Sequence, residues 1–438
     1  MGKNVAIVEK AELGGICLNW GCIPTKALLK SAQVFEYLKH SADYGITVKD
    51  SSADFEAIVK RSRGVASNMS KGIEFLMKKN KITVIKGAAK LTAPKKVEVD
   101  TDGKKEIHEA DHIILATGAR SRELPGVKQD GKKIIGYREA MVMPKQPKSM
   151  VIIGSGAIGM EFAYFYSTLG TKVTIVEFMN RILPVEDEEV SKAMEKIYKK
   201  NGVEIMTESA VENVDTAGAG CKVNVKTKTG NVTLEADIVL SAAGVVTNLE
   251  NLGLETLGVK TDKGKIVVDD HYKTNVAGVY AIGDIVHGPA LAHVASAEGI
   301  ICVEAIAGLK PHALNYNNIP GCTYTHPEVA SVGLTEAQAK EKGYDIKVGK
   351  FPFSASGKAS ASGHKDGFVK VIFDAKYGEW LGCHMIGEGV TDMIAEAVVA
   401  RNLETTGHEI IKSVHPHPTM SEAIMEAVAQ AYNECIHL

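Results

Sequence analysis

The sequence predicts an α/β chain built from two Rossmann-like dinucleotide-binding domains and a C-terminal α+β domain. Three observations carry that reading. The stretch "KSMVIIGSGAIGMEFAYFYSTLGTKVTIVE" runs strand, glycine turn, helix, strand within a unit of about thirty residues. Two more apolar stretches, "NVAIVE" and "VYAIGDI", read as buried strands that end in an acid, at Glu9 and Asp284. From "YTHPEVASVG" onward the pattern changes to alternating strands and closing helices, the mark of a separate domain.

After "NVAIVE" and a glycine turn, Pro24 fits the first turn of a helix, "TKALLKSAQVFEYLKH". A second amphipathic helix is expected from about Asp54 to Asn80. Short strands follow at "KITVIKG" and "KKVEVD", then the buried strand "HIILATG". The pattern restarts near Ala119, and the central unit closes with "ADIVLSAAG". A helix from about Ala290 to Gly308 follows "VYAIGDI", and the last domain holds "GFVKVIFD" and "WLGCHMIG" as strands. The expected segments are 1–119, 120–246, 247–315 and 316–438. The two nucleotide-binding halves point to duplication, with no short repeat or low-complexity tract.

At 438 residues the chain has room for two or three cores, and its apolar and charged fractions, 45% and 24%, are those of a globular protein. A net charge of −2 argues against nucleic acid or an anionic membrane as partner. No apolar run reaches spanning length and no signal-type segment opens the sequence, so a cytoplasmic setting is expected, or the mitochondrial matrix in a eukaryote.

Seven cysteines are sparse for this length. Cys221, Cys302, Cys322, Cys383 and Cys435 stand singly, as reduced and buried thiols do. Cys17 and Cys22 sit together in "GGICLNWGCIPTK". No second Cys or His pair completes a zinc site, and a structural disulfide does not suit a reducing compartment. A catalytic dithiol or coincidence remains, and the flanking Gly14, Gly15 and Pro24 favour the dithiol. Cys22 falls near a helix N-terminus, where the dipole favours a thiolate.

In "GSGAIG", Gly154, Gly156 and Gly159 form G-x-G-x-x-G after an apolar strand and at the start of a helix. Glu177 ends the next strand, 23 residues after Gly154. The glycines let the backbone approach a pyrophosphate, and the acid accepts from ribose hydroxyls. A carboxylate there repels a 2′-phosphate, which favours NAD over NADP, although Arg181 is close by in sequence. The alternative is an ordinary glycine turn. Near the C-terminus, "HPHPTMSE" offers His415, His417 and Glu422. Thr419 and Glu422 fit a capping box, and a His base oriented by a carboxylate fits equally well.

"GGICLNWGCIPTKALL", "ATGA", "GSGAIGMEFA", "VYAIGDI", "GPALAHVASAEGIICVEAIAG", "YTHPEVASVG" and "HPHPTMSEA" together resemble the flavin disulfide oxidoreductases, from residue 4 to the end. "CLNxGCIPTKALL" and "GPxLAH" resemble the dihydrolipoyl dehydrogenase branch in particular. The resemblance implies FAD and NAD as cofactors and a Cys17–Cys22 redox disulfide, with Cys17 exchanging with dihydrolipoamide and Cys22 against the flavin. It implies that Lys26 reaches the flavin and pairs with Glu161, and that His417, oriented by Glu422, is a base acting in the partner subunit's site. Glu9, Gly14, Gly15, Gly87, Thr117, Gly118, Ala119, Asp284, Ala290, Leu291, Ala292 and His293 are implied around FAD. Ala210 and Gly244 are implied beside NAD, but Val245 and Val246 stand where the family often has Arg. Residues 1–119 and 247–315 become FAD segments, 120–246 the NAD domain and 316–438 the dimer-forming domain. The implied partners are a second copy and the lipoyl domains of 2-oxoacid dehydrogenase complexes or the glycine cleavage H protein.

The family normally starts with a strand, a G-x-G-x-x-G loop and a helix, whereas this sequence opens on what resembles the second strand of that unit. The expectation is an incomplete reading of an ordinary enzyme, and the alternative is a short, non-catalytic form. As written, the sequence is expected to bind FAD weakly.

Overall fold

The computed structural model describes residues 2–438, which divide into two compact units. The first contains the N-terminal residues through Ala27, Lys60–Arg122 and Gly244–Tyr316. Its strand Ala6–Glu9 runs parallel to Thr83–Lys86, and Ile113–Leu115 runs parallel to Val279–Ala281. Among the described residues no ladder joins these two pairs. A three-stranded antiparallel sheet, Ala88–Ala93, Lys96–Thr101 and Lys104–Glu109, packs Leu91 into a core with Leu115, Leu254, Ile266, Val279 and Ile285.

The strand expected to be buried at "NVAIVE" is largely open: Val5 is 49% exposed and Ala6 is exposed too. The reason is that Ala6–Glu9 has one ladder neighbour among the described residues, Thr83–Lys86, which leaves its other edge open. Ile114 in "HIILATG" is likewise exposed, although Leu115 is buried.

The second unit holds Leu28–Val59, Glu123–Ala243 and Asn317–Leu438. Its parallel sheet has the order Glu204–Met206, Lys172–Val176, Ser149–Ile153, Ile238–Ser241, Ile134–Ile135. The helix Ala157–Thr168 connects Ser149–Ile153 to Lys172–Val176 and is buried along most of its length, as the near-continuous apolar sequence requires. A three-stranded meander, Ala210–Asp215, Cys221–Thr227 and Gly230–Ala236, shares a core with that sheet through Val151, Val176, Val223 and Val225.

The C-terminal part is a five-stranded antiparallel sheet in the order Gly321–Thr323, Glu328–Gly333, Trp380–Gly387, Phe368–Asp374, Ile346–Pro352. Helices Val390–Asn402 and Glu422–Ala431 share its core, through Met393, Ala397, Ile424 and Val428. The two central strands are buried at every position, so Lys370 in "GFVKVIFD" has no route to water. Its ammonium is met by Asp187 at 3.0 Å, Glu189 at 2.8 Å and Glu336 at 2.7 Å. Burial alone lowers a lysine, but the three carboxylates outweigh it and hold Lys370 above its ordinary value. No described helix is long and apolar enough to cross a membrane.

Candidate active site

The cysteine loop is assembled by its glycines and by one buried asparagine. Gly14 at φ +97° and Gly15 at φ +61° turn the chain into the short helix Gly15–Asn19, which carries Cys17. Cys22 is the first residue of the helix Cys22–Lys39, and Pro24 stands in its first turn. Cys17 and Cys22 form a disulfide with Cα atoms 4.7 Å apart. The Asn19 amide donates to the Leu13 and Gly15 carbonyls, both at 3.0 Å, and its Oδ1 accepts from Ser70 Oγ at 2.7 Å. Arg63 donates to the Asn19 carbonyl at 2.6 Å and lies over the Trp20 ring at 4.1 Å. The long helix Phe55–Lys79 thus pins the loop from one side through Arg63 and Ser70. The disulfide is half-buried, within reach of a substrate, and its Cys22 end stands at a helix N-terminus that favours negative charge.

In the same unit, residues implied around a flavin lie at the carboxyl ends of two separate parallel strand pairs, the ends at which α/β sheets bind nucleotides. The Gly87 N–H donates to the Glu9 carbonyl at 3.0 Å, placing those two residues together. The ladder Ile113–Leu115 with Val279–Ala281 brings Thr117, Gly118 and Ala119 to the same end as Asp284. Thr117 and Asn248 exchange hydrogen bonds of 2.7 and 3.0 Å, and a Cβ on Gly118 would meet nothing. Asp284 lies in the turn Gly283–Ile285; burial pushes its carboxyl up, and Lys265 offsets this only in part. The Gly283 N–H donates to buried Glu298 at 2.6 Å, tying that turn to the helix Ala292–Ile306, whose start holds Ala290 to His293. Open backbone and an underneutralised strand-end carboxylate suit a dinucleotide's phosphates and ribose.

The second unit contains the glycine loop. A Cβ on Gly154 would come within 2.7 Å of the Ala242 carbonyl oxygen, and one on Gly159 would be driven into the Gly154 carbonyl. Gly156 differs, because a Cβ there would meet no protein atom. Two of the glycines are demanded by packing; the middle one faces open space beside the first residues of Ala157–Thr168. Glu177 is 6% exposed. Its Oε2 accepts from the Ser155 N–H at 2.8 Å and the Ser155 hydroxyl at 2.6 Å, and its Oε1 accepts from the Met179 N–H at 2.8 Å. Ser155, inside the motif, is a partner the motif alone does not announce. The Ser209 N–H donates to the Glu177 carbonyl at 2.9 Å, which brings Ala210 alongside. This arrangement fits a dinucleotide. Gly244 belongs to the first unit, where its carbonyl accepts from the Arg122 N–H at 3.0 Å. Lys26 also lies in the first unit and Glu161 in the second, where its buried carboxylate accepts from the Tyr324 N–H at 3.0 Å.

His417 and Glu422 are brought together, Nδ1 to Oε1, at 2.8 Å. Glu422 Oε2 accepts from the Thr419 N–H at 2.7 Å. Desolvation raises this carboxyl, but the Thr419 N–H and the His417 ring outweigh it, so it sits below the ordinary range. The expected capping box is half formed. The helix begins at Glu422, and the Thr419 hydroxyl donates to the Pro416 carbonyl instead of accepting from the helix. The reason is that Ser421, already helical in φ and ψ, takes the cap position. His415 makes a second pair, with Glu396 at 2.8 Å, which lifts its imidazole above the ordinary value despite burial. Of the single cysteines, Cys221, Cys302 and Cys383 are buried, while Cys322 and Cys435 are only partly so because they lie at a sheet edge and near the C-terminus.

Residues 1–299 match the family described as pyridine nucleotide-disulphide oxidoreductase, and residues 319–428 match its dimerisation domain. The chain belongs to that family. Dihydrolipoyl dehydrogenases of Rhizobium etli and Zymomonas mobilis are each 50% identical to it, over 100% of this chain and 95% and 94% of theirs. The solved structure of LpdA from Mycobacterium tuberculosis superposes with a TM-score of 0.91 at 26% identity, covering 98% of this chain and 93% of that one.

Proposed function

We propose that this chain oxidises dihydrolipoamide to lipoamide and reduces NAD, as a homodimer, with lipoyl domains of 2-oxoacid dehydrogenase complexes or the glycine cleavage H protein as its substrates. The observation that carries the reading is the Cys17–Cys22 disulfide at a helix N-terminus, in a chain that also has a histidine held by a carboxylate. The full-length likeness to dihydrolipoyl dehydrogenases supports it.

In this reading one thiol of dihydrolipoamide loses its proton to His417 of a second copy. The resulting thiolate attacks Cys17 Sγ, and the Cys17–Cys22 bond breaks with Cys22 leaving as a thiolate. The second substrate thiol then attacks its neighbour's sulfur and gives its proton to the departing Cys17, so that lipoamide closes and Cys17 leaves as a thiol. Two electrons have passed from substrate to the cysteine pair. FAD and NAD, when bound, supply the carriers that take this electron pair onward. Glu9, Thr117, Asp284 and the Ala290–His293 turn would hold the flavin nucleotide, and Lys26 of the same unit would serve its reacting end. Gly154, Gly156, Gly159, Glu177 and Ala210 hold NAD, and a carboxylate at Glu177 disfavours NADP.

The test is thiol release without NAD. Anaerobic dihydrolipoamide should expose two additional thiols per chain in the wild type. It should expose none in Cys17→Ser or Cys22→Ser, and both variants should lose steady-state turnover. Full activity in either single variant refutes the dithiol mechanism.

A further inference from the structure

The antiparallel register of the C-terminal sheet gathers three side chains that the proposed reaction does not use. Glu328 pairs with Gly387, and Phe368 pairs with Ile386, so three strand ends meet at one edge. His326 lies two residues before the first of these strands, His364 four residues before the second, and Glu388 directly follows the third. One ligand atom from each of His326, His364 and Glu388 lies within 4.8 Å of the others.

We propose that His326, His364 and Glu388 form a site for a zinc-type divalent cation. Two imidazoles and a carboxylate are a donor set that zinc takes, with the fourth tetrahedral position left to water. Bonds of about 2.0–2.1 Å require ligand atoms roughly 3.3–3.4 Å apart. His326 Nδ1 and Glu388 Oε2 are already 3.4 Å apart. Both atoms are buried, and beyond the ion pair they make with each other neither has a hydrogen-bond partner. A cation between them supplies a partner to both. The His364 ring packs edge-on against His326, with centroids 5.0 Å apart, and its ligand atom lies within 4.8 Å of the other two.

The surroundings agree with that assignment. The Tyr37 hydroxyl is 3.0 Å from His364 Nε2 and fixes that ring's orientation, as outer partners of ligating histidines do. Glu36 and Glu328 add negative charge around His326. His364 and Glu388 also line a cavity of ≈ 540 Å³, which gives an ion and its water a way in. The ion's effect is to tie the His364 loop to the two loops that the His326–Glu388 pair already joins.

The experiment uses the full chain, kept oxidised so that Cys17 and Cys22 stay joined. After chelator treatment and dialysis, Zn²⁺ binding is measured by competition with a chromophoric chelator, and the bound ion's neighbours are read by X-ray absorption at the zinc edge. The expected result is one zinc per chain with a nitrogen and oxygen shell, imidazole scattering and no sulfur. Glu388→Gln and His364→Gln should each weaken binding roughly 100-fold or more, each judged against its own melting temperature in chelator. Zinc should raise the wild-type melting temperature and leave both variants unmoved. No stoichiometric binding at micromolar zinc, undiminished binding in both variants, or sulfur in the first shell each overturns the proposal.

Discussion

Replacing Glu177 by Gln should separate the nucleotide half of the reaction from the dithiol half, and the structure fixes the size of the effect. An ionised carboxylate offers about four lone-pair positions. Three are taken, by the Ser155 N–H, the Ser155 hydroxyl and the Met179 N–H. One ribose hydroxyl can use the open position. A second can bind only if the Ser155 hydroxyl rotates away, exchanging one hydrogen bond for another. The net gain on binding is therefore close to one hydrogen bond to a charged acceptor, about 1.5–3 kcal/mol. That energy corresponds to roughly a 10- to 150-fold rise in the KM for NAD when the charge is removed.

Glutamine keeps the shape, so its carbonyl can retain both Ser155 bonds while its amide faces the Met179 N–H, donor against donor. That mismatch should cost about 1–3 kcal/mol of stability, which a urea melt would register. The preference for NAD over NADP should narrow, because the charge opposing a 2′-phosphate is gone. Anaerobic reduction by dihydrolipoamide, which needs no nucleotide, should keep its wild-type rate in a stopped-flow experiment. A KM for NAD within about threefold of wild type would refute the assignment of this carboxylate, as would an equal loss in both half-reactions.

Three further outcomes are expected. Glu422→Gln presents an amide N–H to His417 Nδ1 if its carbonyl keeps the Thr419 N–H, which forces the imidazole into the tautomer whose other nitrogen cannot act as a base; kcat should fall roughly 10- to 100-fold with the KM for NAD unmoved. Gly159→Ala should destabilise the fold by roughly 1–3 kcal/mol, since its methyl meets the Gly154 carbonyl, whereas Gly156→Ala should melt like wild type yet raise the KM for NAD. Lys370→Met should cost about 3–5 kcal/mol at neutral pH by stranding the 2% exposed Asp187. Asp187, Glu189 and Glu336 are held low with Lys370's help, so their contribution is present above the ordinary carboxylate range and is lost as pH falls through their lowered values. The gap between Lys370→Met and wild type in urea melts should therefore close in acid; a constant gap would count against the ion-pair account.

The glycine loop, its helix and Glu177 were legible because each follows from adjacent residues. An apolar run, three glycines at fixed spacing and a strand-end acid define one βαβ unit, and that unit is present from Ser149 to Val176. Cys17 and Cys22 were legible for the same reason, and so was the helix expected near residues 54–80, found at Phe55–Lys79. The exposed faces of Ala6–Glu9 and Ile114 were not, because burial depends on what covers a strand and not on the strand's own residues. Thr419 misled for a subtler reason. The spacing to Glu422 suits a cap, and only the backbone angles of Ser421 decide which residue takes the position.

Pairs whose members are far apart in sequence were invisible, and they share a cause. Lys370 meets Asp187 across 183 residues, and His415 meets Glu396 across 19, with no local pattern linking either pair. In "GFVKVIFD" the lysine reads as the outward member of an alternating strand, yet both faces of that strand are covered. What buries it is the packing of the segments that carry Asp187, Glu189 and Glu336 against that face, which no local pattern in the strand announces. His326, His364 and Glu388 meet through the sheet itself, since ladder register brings the ends of three strands to one edge. Local spacing in this chain therefore specifies the groups that handle nucleotide and disulfide, each built from a turn and the helix behind it. Packing against the sheet and its register specify where buried charges and unclaimed ligands converge, and there the structure adds chemistry that the motifs do not contain.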